Sequence, residues 1–420
     1  MSPAPSAPAG SEQLTVVGIG ADGWEGLSGA AQQVLRAAEV VIGGARQLAL
    51  LPGGECPGER VTWPSPLRPA VPGLLAAHAG RRVCVLASGD PMFHGIGRTL
   101  TEVLAESGAG HRPRVLPHPS SVSYACARLG WPVEETEVVT LVGRPVENLA
   151  RALYDGHRLL VLSAGAGTPA EVAALLRAHG FGPSRMRVLE QLGGEREQLT
   201  QGVAAEWDAP ADPLNVIALD CVREPGTAPL STVPGLPDTA YEHDGQLTKR
   251  HVRAATLAAL APAPGELLWD IGGGSGSIAI EWLRAHRSCR AVSVERDPVR
   301  AERIGRNART LGVPALHVVH GPAPAALAGL PTPAVFIGGG LTAPGLLDAC
   351  WEALPPGGRI VANTVTLESE ALLADRYRRH GGELVRLAVA HAAPVGGFTG
   401  WRQAMPVTQW AAVKPPEDRS

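Results

Sequence analysis

No stretch of the chain approaches the roughly eighteen uninterrupted apolar residues of a membrane span, so none is expected. The six cysteines (Cys56, Cys84, Cys126, Cys221, Cys289 and Cys350) lie far apart and include no CxxC pair. A disulfide framework, a zinc site or any other metal is therefore not expected. Reduced, buried thiols of a cytoplasmic protein are. There is no long Lys/Arg block and the formal net charge is −3, which argues against a nucleic-acid partner. The opening MSPAPSAPAGSEQ has neither the cationic nor the apolar region of a signal peptide and is expected to be a disordered lead-in. Nor is there a persuasive Ser-His-Asp or Cys-His constellation for covalent catalysis.

What is present is a repeated alternation. The 420 residues are too many for one ordinary core, and 45% hydrophobic with 18% charged residues places them among globular proteins. From residue 14, short β-branched runs such as TVVGIG, RVCVLASG, RLLVLSA and NVIALD alternate with amphipathic segments such as PAEVAALLRAHG. That rhythm predicts an α/β unit with mainly parallel strands. Residues 223–240, REPGTAPLSTVPGLPDTA, hold four prolines and no apolar period, and they read as a linker. The alternation then restarts. The expectation is a first domain over 14–222, a linker over 223–240 and a second domain over 241–415.

The most informative segment is LLWDIGGGSGSIAIE, residues 267–281. Asp270 ends a strand, and Gly272, Gly273, Gly274, Ser275 and Gly276 form a turn directly before a helix. Glycines there allow positive φ and close approach of a ligand, and the helix amide end favours negative charge. Glu295 ends the next strand, where an acid can accept both hydroxyls of a ribose. Two nucleotide classes fit. Gly274, Gly276 and Ala279 satisfy the dinucleotide pattern G-x-G-x-x-A. The alternating glycines between two strand-end acids, with the later turn LPPGGRIV (354–361), resemble S-adenosylmethionine-dependent methyltransferases. On that reading the backbone around Ala323 faces the adenine. Upstream, LTKRHVRAATLAAL predicts a helix beginning at Thr248 as N-cap. Lys249, Arg250 and Arg253 follow, either as a solvated basic helix start or as a clamp on an anionic substrate, with Arg253 also a candidate for the reaction itself. Trp269 and Trp282 flank the glycine turn and are expected in the core.

With LTKRHVRAATLAAL, WDIGGGSGSIAIEW and FIGGG in order, the second half resembles the C-terminal methyltransferases of corrin synthesis. VVGIGADG, SGDPMFHG, PHPSSVSYACARLGW and VLEQLGGEREQL make the first half similar to the tetrapyrrole methylases. The resemblance implies an α/β tetrapyrrole methylase fold of two subdomains, followed by a Rossmann-like class I methyltransferase fold. It also implies two methylations of one reduced tetrapyrrole, at carbons 5 and 15, and loss of carbon dioxide from the acetate on ring C. S-adenosylmethionine would bind once per domain, twice per chain, and the chain would form a homo-oligomer. In the first half the resemblance points to Gly18, Gly20, Gly89, Asp90, Pro91, Ser120 and Ser121 at the cofactor or substrate. Asp90 would steer a pyrrole N–H or act as a base, unless it caps a tight turn; Ser120 and Ser121 would donate to the ligand, unless they cap a helix. His94 and His118 are expected to be solvated loop histidines. The alternatives are a dinucleotide-dependent oxidoreductase, or a methyltransferase in which one domain is only a cofactor-binding scaffold.

Overall fold

The computed structural model describes residues 14–108, 112–331 and 333–416, so the opening segment read as a lead-in lies outside the described residues. The chain divides into two compact units. One runs up to Arg144 and resumes over Asp155–Arg223; the other takes Pro145–Tyr154 and the chain from Glu224 onward.

In the first unit, strands β1 (Leu14–Ile19), β2 (Val40–Gly43), β3 (Glu59–Thr62), β4 (Val83–Ser88) and β5 (Arg114–Leu116) form a parallel sheet in the order β3-β2-β4-β1-β5. β1 is buried at every position because both sheet faces are covered. Val17 and Ile19 pack with Leu35 of α1 (Gly29–Ala37). Leu14 and Val16 join Val71 of α3 (Leu67–Ala77) and Leu100 of α4 (Ile96–Glu106) on the opposite face, following α2 (Ala45–Ala49) in the chain. Two-residue alternation thus splits one strand between two cores.

The helix α5 (Ser121–Leu129) leads to a second sheet, made of β6 (Glu137–Thr140), β7 (Arg158–Leu162), β8 (Arg185–Glu190), β9 (Gln198–Val203) and β10 (Asn215–Asp220). Its order is β6-β7-β10-β8-β9. Here the expectation of mainly parallel strands fails: β6 and β7 are parallel, but β7/β10, β10/β8 and β8/β9 are antiparallel. The loop 191–197 between β8 and β9 is too short for the crossover a parallel pair needs. α6 (Thr168–Ala178) links β7 to β8 and buries Val172 and Leu176.

The second unit opens with α7 (Arg250–Leu260). Strands β11 (Leu267–Ile271), β12 (Arg290–Glu295), β13 (His317–His320), β14 (Ala334–Ile337) and β15 (Arg359–Thr364) follow, interleaved with α8 (Ser277–Ala285), α9 (Pro298–Thr310) and α10 (Leu346–Ala353). After α11 (Leu367–His380) come β16 (Glu383–Leu387), β17 (Ala390–Val395), β18 (Phe398–Gln403) and β19 (Val407–Val413). The seven-stranded sheet runs β13-β12-β11-β14-β15-β19-β16, parallel except for β19, which is antiparallel to both neighbours. Leu268 and Trp282 pack on one face with Leu257 and Ile304; Trp269 packs on the other with Cys350, Leu373 and Trp410. Both tryptophans beside the glycine turn therefore serve the core, as expected. β17 and β18 form a separate hairpin whose Phe398 and Trp401 stand 85% and 80% exposed.

The proline-rich stretch behaves differently from a free linker over its second half. The amides of Gly235 and Leu236 donate to the Glu281 carboxylate at 2.6 and 3.1 Å, and Leu236 is 2% exposed. A buried carboxylate on α8 thus satisfies backbone that no helix or strand partners.

Candidate functional site

The carboxyl ends of β11, β12, β14 and β15 open into a cavity of about 1060 Å³. This is where an open parallel sheet places its ligand crevice, beside the point at which strand order reverses. The sequence Asp270-Ile-Gly-Gly-Gly-Ser-Gly turns here because Gly272, Gly274 and Gly276 take φ of +73°, +59° and +78°. A Cβ on Gly272 would sit 2.7 Å from the amide nitrogen of Gly339, and one on Gly273 would strike Ser293 Oγ. Bare backbone at Gly272, Gly273 and Gly274 therefore forms the wall, together with Gly338–Gly340 and the Gly321–Ala323 backbone.

Two acids flank this wall. Glu295 accepts the Gly274 amide at 2.8 Å on one oxygen and the Asp297 amide at 3.0 Å on the other. Each oxygen keeps a lone pair, and the residue lines the cavity. Asp270 is buried and accepts the Ser293 hydroxyl at 3.2 Å. Burial pushes its carboxyl up to about 7; the Ser293 and Ala279 hydrogen bonds oppose that, and nearby Glu295 adds to it. Ser275 and Gly276 are not among the lining residues. Ser275 is buried with its carbonyl accepting from Asn307 Nδ2 at 2.9 Å, so it shapes the turn from behind.

The basic helix start is split by the fold. Thr248 and Lys249 line the cavity, but the N-cap is Lys249 and the helix begins at Arg250, one residue later than predicted. The Thr248 side chain is not the cap. Arg250 is exposed and outside the lining. Arg253 departs from the sequence reading: it is 0% exposed and outside the cavity lining, placed to hold the fold and not to meet a substrate. Its guanidinium donates to Glu281 (2.5 Å), Asp238 (3.2 Å), the Thr248 carbonyl (2.5 Å) and the Leu236 carbonyl. That network fastens the 235–248 segment to α8. The wall also contains His251, from the quoted helix start but not singled out there, and Gln246, Asn363, His391 and Met405, which no local motif announced.

In the first unit, β1 lies between β4 and β5, so the loops following these three strands converge. Gly18 and Gly20 leave the space: a Cβ on Gly18 would strike the Gly89 carbonyl, and one on Gly20 would come within 2.5 Å of Asp22 Oδ1 and 2.7 Å of His118 Nε2. Gly89 has φ +57° and packs on Ser120. Asp90 caps the turn that contains Pro91, accepting the Met92 amide at 2.8 Å. Ser120 is the N-cap of α5, accepting the Ser123 amide at 3.1 Å, and Ser121 opens that helix. These are the structural roles weighed for them at the outset. His94 is exposed, as expected. His118 is not: at 8% exposure its Nε2 lies 3.1 Å from Asp22 Oδ2, with the Tyr124 hydroxyl 3.4 Å from the same oxygen. Asp22 Oδ1 is buried without a hydrogen-bond partner. Neighbouring strands carry Asp22 and His118 together from 96 positions apart, which no local pattern could signal.

Strand order, the glycine turn and its two flanking acids define the second unit as a Rossmann-like methyltransferase. The first unit is an α/β unit of two sheets whose glycine-edged loops meet beyond the ends of β1, β4 and β5. Residues 13–208 match the family of tetrapyrrole (corrin/porphyrin) methylases, and residues 239–414 match the precorrin methyltransferase domain. A precorrin-6Y C(5,15)-methyltransferase [decarboxylating] from Sinorhizobium sp is 49% identical over 96% of this chain and 96% of its own. One of the same name from Mycobacterium tuberculosis is 48% identical over 96% of this chain and all of its own. The chain belongs to the precorrin-6Y C(5,15)-methyltransferase (decarboxylating) family, and it is an enzyme. Among solved structures, the C-terminal domain of a precorrin-6Y C5,15-methyltransferase from Rhodobacter capsulatus is 53% identical, covering 44% of this chain and all of that one with a TM-score of 0.42. The dinucleotide alternative falls with this membership. Among the described residues no helix is long and apolar enough to cross a membrane.

Proposed function

We propose that the chain holds two methyl-transfer centres, one per unit, each drawing on S-adenosylmethionine and both acting on the tetrapyrrole precorrin-6Y. The first unit methylates carbon 5. The second methylates carbon 15 and releases carbon dioxide from the ring-C acetate, giving precorrin-8X. The observation that carries this reading is the tandem of two family matches, over 13–208 and 239–414, the first centred on one compact unit and the second within the other.

The second-unit residues fit the cofactor. Gly272–Gly274 line the cavity as bare backbone, which lets the aminoacyl end approach the main chain. Glu295 retains acceptor capacity for ribose hydroxyls, and the backbone at Pro322 and Ala323 borders the adenine end. Single drug-sized ligands occupy pockets of about 300–1,000 Å³, so this cavity leaves space for part of a second reactant. Lys249 offers a cation to its carboxylates.

The sulfonium cofactor supplies a methyl group already activated for transfer. The protein's share is to align an electron-rich macrocycle carbon with that methyl and to exclude water. In the first unit, bare Gly20 and Gly89 and the Asp22–His118–Tyr124 cluster mark the corresponding position. The exposed Phe398 and Trp401 support homo-oligomerisation through the hairpin. Six buried free thiols fit a reducing cytoplasm.

The test is the mass of product from precorrin-6Y and isotopically labelled methyl donor. Two labelled methyls gained with one carbon dioxide lost is the expected result. A single methyl would return the scaffold reading for one unit.

A further inference from the structure

The decarboxylation assigned above to the second unit leaves a chemical requirement that its cofactor does not meet. When the acetate loses carbon dioxide, the bond between its methylene and carboxyl carbons breaks. The electron pair stays on the methylene side, delocalised into the conjugated macrocycle. That carbon becomes a methyl group only by taking a proton, so the cavity needs an acid.

Most titratable groups on the cavity wall are unsuited. Asp270 is fully buried against Ser293, and both oxygens of Glu295 accept amides of their own loop. Arg296 and Arg300 carry guanidinium groups that do not release protons in proteins. Ammonium groups are weak acids near neutrality. Two imidazoles remain. His251 stands in the first turn of α7 and His391 on β17, both line the cavity, and both are solvent-accessible. Their ring centroids are 5.7 Å apart with planes inclined at 36°. Imidazole is the side chain whose ordinary acidity suits proton transfer near pH 7.

We propose that His251 and His391 form the proton-donor pair that completes the decarboxylation. One imidazolium gives its proton to the methylene carbon as carbon dioxide leaves and becomes neutral imidazole; its neighbour, open to water, resupplies it. The inference rests on the reading of the second unit as the decarboxylating one.

The experiment uses the full chain with precorrin-6Y and labelled methyl donor, scoring methyl incorporation and carbon dioxide release separately. In the double variant His251→Gln/His391→Gln, the kcat for carbon dioxide release falls about 10²-fold, the scale of a positioned general acid. KM and calorimetric binding of S-adenosylhomocysteine stay unchanged, and the first-unit methyl is still added. Imidazole in the buffer partly restores release by His391→Ala, which a packing role would not allow. Undiminished release by the double variant, or a loss confined to KM, overturns the proton-donor pair while leaving the second-unit reading intact. Absence of carbon dioxide from the wild-type chain refutes that reading itself, and this inference with it.

Discussion

Arg253 Nε lies 2.5 Å from Glu281 Oε1, and neither side chain meets solvent. Glu281 also takes the Tyr241 hydroxyl at 2.8 Å and the two amides of Gly235 and Leu236. Removing one member of such a pair leaves a buried charge uncompensated, at a cost of about 3–5 kcal/mol. Arg253→Met should lower the urea-derived unfolding free energy of the second unit by that amount, while pairing it with Glu281→Leu recovers part of the loss. An Arg253→Met variant of unchanged stability but reduced substrate affinity would return the residue to the substrate site.

Gly272→Ala tests the turn. The added methyl meets backbone of Gly339 and is placed at φ +73°, so nothing flexible can yield. Titration with S-adenosylhomocysteine should fall from two sites per chain to one, with second-unit affinity down at least about tenfold, a change of about 1.4 kcal/mol. Two unaltered sites would contradict the placement of the aminoacyl end.

Asp270 sets a pH dependence. Its carboxyl is raised by burial to about 7 from an ordinary 3.8, so between those values the folded state holds a proton that the unfolded state has released. Stability from this group is then lost as pH rises through about 7. The difference in urea midpoint between Asp270→Asn and wild type should shift in favour of the variant from pH 4 to pH 7 and level off above. A difference independent of pH would show that Asp270 titrates normally.

His118→Ala removes the partner of Asp22 inside the first unit. Product from precorrin-6Y should lack one methyl, the rate of that addition falling by roughly 10²-fold, while carbon dioxide release by the second unit persists. Equal loss of both methyls would mean that the variant disturbs the whole chain.

Phe398→Glu/Trp401→Glu puts charge on the exposed hairpin. Light scattering should report a smaller assembly than wild type at the same concentration, with S-adenosylhomocysteine binding retained. An unchanged mass would remove the hairpin from any interface.

What could be read from residue order alone is local. Two-residue alternation and helical spacing announce the strands and helices, and glycines two apart after a strand-end acid announce a turn at positive φ. Proline punctuation marks the approach to a second unit. These features depend on neighbours within a few positions, which is as far as backbone sterics and amphipathic patterning reach. Strand direction in the second sheet, the burial of Arg253 and the pairing of Asp22 with His118 lie beyond that reach. So does the approach of His251 to His391, 140 positions apart. An arginine or histidine has one sequence signature whether it faces water, a carboxylate or a ligand. Which of these it meets depends on the strands that become neighbours in the sheet, and packing of the whole core selects that.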